Sequence, residues 1–297
     1  MKTITVFTPT YNRGYCLDRL YESLRRQTNK DFKWLIVDDG STDNTKEIVQ
    51  SWISEASFTI QYCYQENMGM VQAHNTAHHL MDTKLCVCID SDDFMPDNAI
   101  ERILDLWGKF GYEESAGIIG LDAFKDGRIV GDTFPYNVSE CTFTELIHKY
   151  KVKGDKKFVH NRKVLNKYLP YPYYQGEKHQ VTSYLYLKIE KQHKWMLFNE
   201  VFSIIEYQPD GLSRNLFKQY LSSPNSYADY RIERMKSAYN FEDKFKNAIH
   251  YVSSSLIARK KIFLKETPFK LIILLALPIG FILYIYLKKT KRKSLIK

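Results

Sequence analysis

The sequence predicts an α/β protein with a mostly parallel sheet flanked by helices, then a C-terminal helical extension and a membrane-associated segment. In the first 110 residues, short β-prone runs alternate with segments whose apolar residues recur at helical spacing. Repeated β-α units imply parallel strands joined by right-handed crossovers. Residues 271–287 form an unbroken apolar run that leads into a basic tail.

The first part of the chain contains four predicted β-α units. The predicted strands cover residues 3–8, 32–37, 58–64 and 85–89. The inward faces of the helices that follow are predicted at Leu17, Leu20, Tyr21 and Leu24, then Ile48, Val49, Trp52 and Ile53, then Ala73, Ala77, Leu80 and Met81, and finally Ile100, Ile103, Leu104 and Trp107. Asn44-x-x-Glu47 predicts a capping arrangement at the second helix, and Pro96 predicts the start of the fourth.

The pattern is less regular after residue 115. The predictions there are strands at 117–124 and 128–132, a helix at 143–150, a Pro- and Tyr-rich loop at 168–177, a helix at 181–193, a strand at 194–206 and basic helices across 216–265. The sequence contains no 20–50-residue repeat and no low-complexity stretch.

The formal net charge is +9, and six of the basic residues lie in the last ten positions. A basic tail suits nucleic acid or an anionic membrane surface. Because the apolar run 271–287 precedes this tail, we predict a membrane partner and no nucleic acid. A buried core helix is the alternative for this run. Lysines flank both of its ends, and Pro278 and Gly280 lie in its middle, so a membrane span and a re-entrant or interfacial helix both stay open.

The five cysteines are odd in number and show no paired framework, which predicts reduced thiols in a cytosolic compartment. Cys86-x-Cys88 falls in a strand-like run, so both side chains point to one face. We interpret them as core residues, because no second Cys or His pair has zinc spacing.

Three polar clusters follow predicted parallel strands: Thr8–Arg13, Asp38–Asp43 and Asp90–Asp93. Open α/β sheets bind ligands at the carboxyl ends of their strands, so the three clusters are expected to converge there. Paired carboxylates with a one-residue gap suit Mg²⁺ or Mn²⁺, with a diphosphate as the natural remaining ligand. Neither a P-loop nor a dinucleotide-binding glycine pattern is present.

These clusters resemble the motifs of family 2 glycosyltransferases, which are inverting enzymes of GT-A fold. Asp38–Asp43 is similar to the family's DDGS-[ST]-D signature, and Asp90–Asp92 is similar to its D-x-D motif. Asn67-x-Gly69 followed by Ala73–Asn75 resembles its N-x-G-x-x-x-A-R-N helix start, with His74 in place of the usual Arg. The matches stand in the expected order over roughly the first hundred residues, and they are closest to bacterial enzymes that build capsule or exopolysaccharide.

The resemblance implies a role for each matching residue. Asp90 and Asp92 would bind Mn²⁺ or Mg²⁺ on the donor diphosphate, and Asp92 would also be catalytic. The residues implied in donor binding are Thr8, Pro9, Tyr11, Arg13, Asp38, Asp39, Asn67, Gly69, His74, Asp90 and Ser91. The family's general base lies in an E-D-like motif, for which Gly176-Glu177-Lys178 is the best match. Glu177 would be the base, although Lys178 replaces the second acid.

Several of these residues also have a structural interpretation. Asp39 would support the turn at Gly40, Tyr11 would be a core aromatic, and Glu177 would be a favourable acid near a helix N-terminus. His74 and His78 are four residues apart, as zinc ligands can be, but no third ligand accompanies them. An exposed or capping role is the prediction for both, although His74 is also placed to approach the donor phosphates.

The resulting expectation is a metal-dependent inverting glycosyltransferase that moves a sugar from a nucleotide-diphosphate donor to a hydroxyl of a cell-envelope glycan or lipid-linked acceptor. It would lie at the cytoplasmic face of a bacterial membrane, anchored through residues 269–297. The predicted parts are a nucleotide-sugar-binding half (1–115), an acceptor-binding half (116–215), a basic helical extension (216–265) and an anchor with its polybasic tail (266–297).

Three other function classes share some of these features. A non-catalytic membrane-tethered binding module would keep the fold without needing Asp92. A phosphatase of the haloacid dehalogenase type has a D-x-D motif, but on an early strand rather than the fourth. A sugar nucleotidyltransferase has the general fold, but its Gly-rich, Lys-containing start is missing here.

Overall fold

The computed structural model describes residues 2–206 and 216–294. Within them the chain forms two compact units. The first contains residues 2–170 and 189–206, and the second contains residues 171–188 and 216–294. This grouping differs from the four predicted parts, because residues 171–188 cluster with the C-terminal helices.

The first unit is built on one eight-stranded mixed sheet. Its strands are β1 (Ile4–Thr10), β2 (Phe32–Asp38), β3 (Thr59–Tyr64), β4 (Leu85–Cys88), β5 (Gly117–Ala123), β6 (Glu140–Cys141), β7 (Lys156–Asn161) and β8 (Trp195–Ile204). The order across the sheet is β3-β2-β1-β4-β7-β5-β8-β6. The β3-β2-β1-β4 portion is parallel, as predicted from the repeated β-α units.

The helices that connect these strands lie mostly where the apolar periodicity predicts them. They are α1 (Leu17–Arg26), α2 (Thr45–Glu55), α3 (Met70–Leu80), α4 (Ala99–Phe110), a π-helix (Glu145–Lys149), α5 (Arg162–Leu165) and α6 (Ser183–Ile189). The predicted helix at 143–150 is therefore the short π-helix. The predicted helix at 181–193 is shorter in the structure and ends at Ile189.

The largest departure from the sequence prediction is β7, which the sequence did not predict. It pairs antiparallel with both β4 and β5, and so joins the parallel portion to the rest of the sheet. The predicted strand at 128–132 is wrong, because only an isolated bridge between Ile129 and Ala123 forms there. β5 and β8 are parallel neighbours.

The core confirms most of the predicted helix faces. Tyr21 of α1 stacks on Trp52 of α2 with ring centroids 4.5 Å apart. Ile53, however, is 44% exposed, so its predicted inward position is wrong. The predicted cap of α2 is also wrong: Asn44 makes no side-chain cap, and Asp43 Oδ1 instead accepts a hydrogen bond from Thr45 N at 3.1 Å. The side chain of Asp43 thereby satisfies a backbone N–H of the first turn that has no partner within the helix.

The second unit is helical in its C-terminal part. Its further helices are α7 (Leu216–Ser222), α8 (Pro224–Lys236), α9 (Phe241–Ile257) and α10 (Lys270–Ser294). Residues from α8, α9 and α10 share one buried cluster, which includes Met235, Tyr251 and Ile273. Among the described residues, the segment Lys270–Thr290 is the one helix long and apolar enough to cross a membrane by length and composition.

Candidate functional site

The end of β1 is tied to the turn that follows β2. Asn12 adopts a φ of 53°, a left-handed conformation that Asn tolerates. In this conformation its N–H donates to Ser41 Oγ at 2.8 Å, and its Oδ1 accepts from Thr42 N at 2.7 Å. Gly14 N also donates to Asp43 Oδ2 at 3.1 Å. Hydrogen bonds therefore connect the Thr8–Arg13 and Asp38–Asp43 motifs at one edge of the sheet.

Asp39 joins the same edge to the loop before α3. Its buried carboxylate accepts hydrogen bonds from Met68 N at 2.9 Å, Gly69 N at 2.7 Å and Gln65 Nε2 at 2.7 Å. Gly40 has a φ of +85°, and a Cβ there would lie 2.8 Å from the backbone N of Asn67. Close backbone approach therefore requires a glycine at position 40. The Asp39 carboxylate holds the loop before α3, whereas the turn at Gly40 is supported by Asp38 Oδ1, which accepts a hydrogen bond from Ser41 N at 2.8 Å.

The Asp90–Asp93 turn follows β4 at the same edge. Cys16 Sγ, just after the β1 motif, donates to the carbonyl of Ser91 at 3.6 Å. Burial raises the pKa of Asp92, the charge of Asp90 raises it further, and Arg13 and Arg19 attract the charged form. These contacts confirm the predicted convergence of the motifs. Arg19, a helix residue outside every motif, is an addition that the sequence analysis missed.

A buried charge cluster lies beside this turn, and the sequence analysis missed it too. Lys157 Nζ is 3.8 Å from Asp93 Oδ2 and 3.8 Å from Asp122 Oδ1. Burial alone would lower the pKa of Lys157, but the charges of Asp122 and Asp93 raise it above the ordinary value. The ammonium therefore stays charged inside the protein, whereas burial and the neighbouring carboxylates raise the pKa of Asp93 and of Asp122, so two acids share one positive charge. One sequence signal could have identified this cluster: Asp122 is an acidic residue near the end of an otherwise apolar strand, β5.

Asp90 and Asp92 fit a divalent metal ion. Asp90 is exposed, Asp92 is half-buried, and the two like charges are close enough for Asp90 to raise the pKa of Asp92. A cation between them would relieve this repulsion. Within residues 2–206 and 216–294, no group of three or more His, Cys, Asp or Glu side chains is placed to hold a metal alone. The remaining ligands would come from a diphosphate and water.

The predicted donor-binding residues differ in their exposure. Tyr11 is 49% exposed, so its alternative interpretation as a core aromatic is wrong and its ring is open to stacking. Thr8 is fully buried and accepts a hydrogen bond from Trp34 Nε1 at 3.0 Å. Asp38 is fully buried and accepts from Tyr62 Oη at 2.6 Å. The donor contacts of these residues stay predictions, but Thr8 and Asp38 have structural partners as well.

His74 and His78 are buried, so the predicted exposed or capping role is wrong for both. Their rings make edge contacts with Phe7, with centroids 5.3 Å and 5.2 Å apart. Burial lowers the pKa of His74 to about 4 and that of His78 well below its ordinary value. The apolar periodicity of α3 indicates the face that packs on the sheet. Because the pattern counts apolar residues only, it does not predict that histidine rings are buried on the same face.

Glu177 lies in the second unit, where it caps α8. One carboxylate oxygen accepts from Asn225 N and Nδ2, each at 2.8 Å, and the other accepts from Ser226 N at 2.8 Å and Ser226 Oγ at 2.7 Å. Helix N-termini have unpaired N–H groups that such a carboxylate satisfies. The interpretation of Glu177 as an acid at a helix N-terminus is confirmed, and its role as the base stays a prediction.

Sequence comparison connects the site to known proteins. The family model described as "Glycosyl transferase family 2" matches residues 5–161. The glycosyltransferase GlyA of Streptococcus pneumoniae is 36% identical over 100 residues, which cover 34% of this chain and 14% of that protein. The chondroitin synthase of Escherichia coli is 28% identical over 152 residues, which cover 50% of this chain and 22% of that protein. The chain thus matches well under half the length of both relatives.

Solved structures show the same fold. Residues 1–349 of S. aureus TarS in complex with UDP-GlcNAc superpose with a TM-score of 0.61 at 15% identity, covering 99% of this chain and 92% of that one. The mannosyltransferase PcManGT of Pyrobaculum calidifontis, in complex with GDP-Man and Mn²⁺, gives a TM-score of 0.54 at 13% identity, covering 94% and 86%. With a family model that matches more than half of its residues, this chain belongs to glycosyl transferase family 2.

Proposed function

We propose that this protein is a metal-dependent inverting glycosyltransferase that transfers a sugar from a nucleotide-diphosphate donor to a hydroxyl of an envelope glycan or lipid-linked acceptor. The observation that carries this proposal is one edge of the sheet, where hydrogen bonds connect Asn12 with Ser41, Asp39 with Gly69, and Cys16 with Ser91 beside the Asp90–Asp92 carboxylates. That edge combines an exposed aromatic ring, paired carboxylates and basic side chains, which suits a nucleoside diphosphate.

Each part of the edge has a separate task in this proposal. Asp90 and Asp92 hold the metal ion, which when bound offsets the charge that develops on the leaving diphosphate. Tyr11, which is exposed, stacks on the base. Arg13 and Arg19 act electrostatically at Asp92 and help to compensate negative charge near the diphosphate. Lys157 holds the Asp90–Asp93 turn in position through its ion pair with Asp93.

The transfer itself is a single displacement. The acceptor hydroxyl oxygen attacks the anomeric carbon, the bond from that carbon to the diphosphate oxygen breaks, and the configuration inverts. The hydroxyl proton passes to Glu177 as general base. For this step, Glu177 must release some of the four hydrogen bonds that it accepts from Asn225 and Ser226.

The acceptor class is inferred from two observations. Several relatives are named for work on polysaccharides or glycosylated products, including chondroitin synthase and validoxylamine A glucosyltransferase. The apolar helix α10 would bring the enzyme to the cytoplasmic face of a membrane, close to a lipid-linked acceptor. Family membership, together with the D-x-D motif on β4, argues against the phosphatase alternative.

A donor screen tests the proposal. The full chain is incubated with UDP-, GDP- or dTDP-sugars, with and without Mn²⁺, and thermal stabilisation and nucleoside diphosphate release are measured. One donor is expected to stabilise the protein only with metal and to release its diphosphate slowly by hydrolysis. Stabilisation without any release, even with candidate acceptors added, would favour the non-catalytic binding module. No stabilisation by any nucleotide sugar would contradict the proposal.

A further inference from the structure

The helix α10 has two apolar faces in different surroundings. One face is buried in the second unit, at Ile273, Ala276, Gly280 and Leu287. The opposite face is exposed and is called here the apolar stripe; it consists of Leu271, Leu274, Leu275, Ile279, Phe281, Ile282, Ile285 and Tyr286. At 1.5 Å per residue the stripe is roughly 22 Å long, and no charged residue interrupts it. Soluble surfaces rarely expose an apolar area of this length.

The buried face of α10 lies along α9, and the two helices run side by side in the same direction. Near their starts, Lys244 Nζ is 5.2 Å from the ring centroid of Phe269, the residue before α10. In the middle, a Cβ on Gly280 would lie 2.5 Å from Val252 Cβ. Near their ends, Ile257 shares a cluster with Leu287. The axes therefore stay close over most of the length of α9.

This packing conflicts with a helix that spans the bilayer. If Gly280 were at the bilayer centre, its neighbour Val252 would be at the centre as well. Lys246 would then lie only about 9 Å from the centre, measured along α9, and Asp243 about 13 Å. Both distances are within the ~15 Å half-thickness of the hydrocarbon core. Arg234 of α8, paired with Asp243 at 3.0 Å, would be submerged as well. Charged side chains at that depth are strongly unfavourable.

We propose that α10 lies in the plane of an anionic lipid surface, with the apolar stripe inserted between the lipids and α9 on the side away from them. An interfacial helix inserts roughly 5–10 Å, so the helix layer behind it stays outside the hydrocarbon. Exposed Lys270, Lys288 and Lys289 stand at the two ends of the stripe, where anionic headgroups would pair with them. This inference rests on the proposed membrane association and specifies its geometry.

Tryptophan depth measurements test the geometry. Leu271→Trp, Leu275→Trp and Ile282→Trp place single added probes along the stripe, and the unsubstituted protein supplies the background of its four native tryptophans. Each full-length variant is bound to phosphatidylcholine/phosphatidylglycerol vesicles whose chains are brominated at shallow or deep positions. An in-plane helix gives the same quenching depth at all three probes. A span centred on Gly280 places position 271 about 13 Å and position 282 about 3 Å from the bilayer centre, and such unequal quenching depths would overturn the proposal.

Vesicle flotation tests the surface itself. The double variant Leu275→Asp/Ile282→Asp is expected to lose at least ~10-fold in binding to these vesicles, whereas Ile53→Asp, at an exposed apolar position of α2, is expected to bind normally. Binding should also weaken on vesicles of phosphatidylcholine alone and at high salt. Both variants should keep their melting temperature and their metal-dependent donor binding, which separates this test from that of the transferase.

Two further outcomes would contradict the inference. If the unsubstituted protein does not float with anionic vesicles, the membrane association itself fails. If it forms a dimer in solution that the Leu275→Asp/Ile282→Asp variant abolishes, and it does not bind vesicles, a second copy of the chain covers the stripe instead of lipid.

Discussion

The ammonium group of Lys157 lies 3.8 Å from the carboxylate of Asp93, the last acid of the Asp90–Asp93 turn, and both side chains are buried. Asp122 lies at the same distance on the other side of Lys157. The turn that carries Asp90 and Asp92 is thus fixed by an internal ion pair. Asp93 is buried in this pair, whereas Asp90 is exposed and Asp92 is half-buried.

Lys157→Met is expected to destabilise the first unit by about 3–5 kcal/mol, because it leaves buried carboxylates without a counter-charge. The measurement is chemical unfolding with donor-induced stabilisation recorded in parallel. Lys157→Met/Asp122→Asn should recover part of this loss, since the second change removes one unpaired charge. Equal destabilisation of the single and double variants would show that the ion pairs do not hold the turn.

Asp92→Asn is expected to reduce turnover by at least ~100-fold and to abolish the metal-dependent part of donor binding. Without metal, its melting temperature should equal or exceed that of the parent, because the burial and the Asp90 charge that raise the pKa of Asp92 oppose its ionised form. Calorimetry and nucleoside diphosphate release measure the two effects. Asp105→Asn, an exposed acid of α4, is the control. Unchanged turnover in Asp92→Asn would remove the metal role from this residue.

Glu177→Gln separates capping from catalysis. An amide has one oxygen acceptor, so some of the donors from Asn225 and Ser226 lose their partner, at about 1–3 kcal/mol of unfolding free energy. Ser226→Ala is the matched variant, since it removes one donor and leaves the carboxylate in place. If Glu177 is the base, Glu177→Gln should lose at least ~100-fold in kcat while Ser226→Ala keeps nearly all of it. Equal kcat losses would assign Glu177 a capping role alone.

Gly40→Ala is expected to weaken both stability and donor binding, because its Cβ would meet the backbone of Asn67 at 2.8 Å. Gly127→Ala is a close control: its φ is +84°, against +85° at Gly40, but nothing lies within 4 Å of the added Cβ. Both variants carry the backbone strain of about 1 kcal/mol, and Gly40→Ala alone should add the clash. Thermal melting with and without donor measures the difference. Identical behaviour of the two would show that the loop contact is unimportant.

Stability should fall as the pH drops from 6.5 towards 4. Burial lowers the pKa of His74 and His160 to about 4, so below pH 6.5 the unfolded chain binds protons that the folded chain does not. Each such histidine costs up to about 1.4 kcal/mol per pH unit in this window. Unfolding free energies at pH 7, 6 and 5 measure the slope. His160→Gln should flatten it, and His79→Gln, an exposed control, should not. The same slope in both variants would contradict this origin.

The sequence alone was sufficient for the parallel half of the sheet and for the motifs at its edge. Apolar periodicity is a local signal, and the strands β1 to β4 and their helices are long enough to display it. The resemblance of Asp38–Asp43 and Asp90–Asp92 to family motifs added the family, which the comparison confirmed. Strand ends of parallel β-α units meet at one edge, so the convergence of these motifs followed from the topology.

Only the tertiary structure decided what depends on partners distant in the chain. β7 has the sequence KKFVHN, which shows no clear apolar alternation, and it forms a strand because β4 and β5 pair with it on its two sides. Lys157 is a buried counter-ion only because the turn after β4 supplies Asp93 and β5 supplies Asp122. The same holds for the capping contacts of Glu177 and for the packing of α10 on α9. A sequence pattern records which face is apolar, whereas burial, charge pairing and the partner of each face depend on long-range contacts.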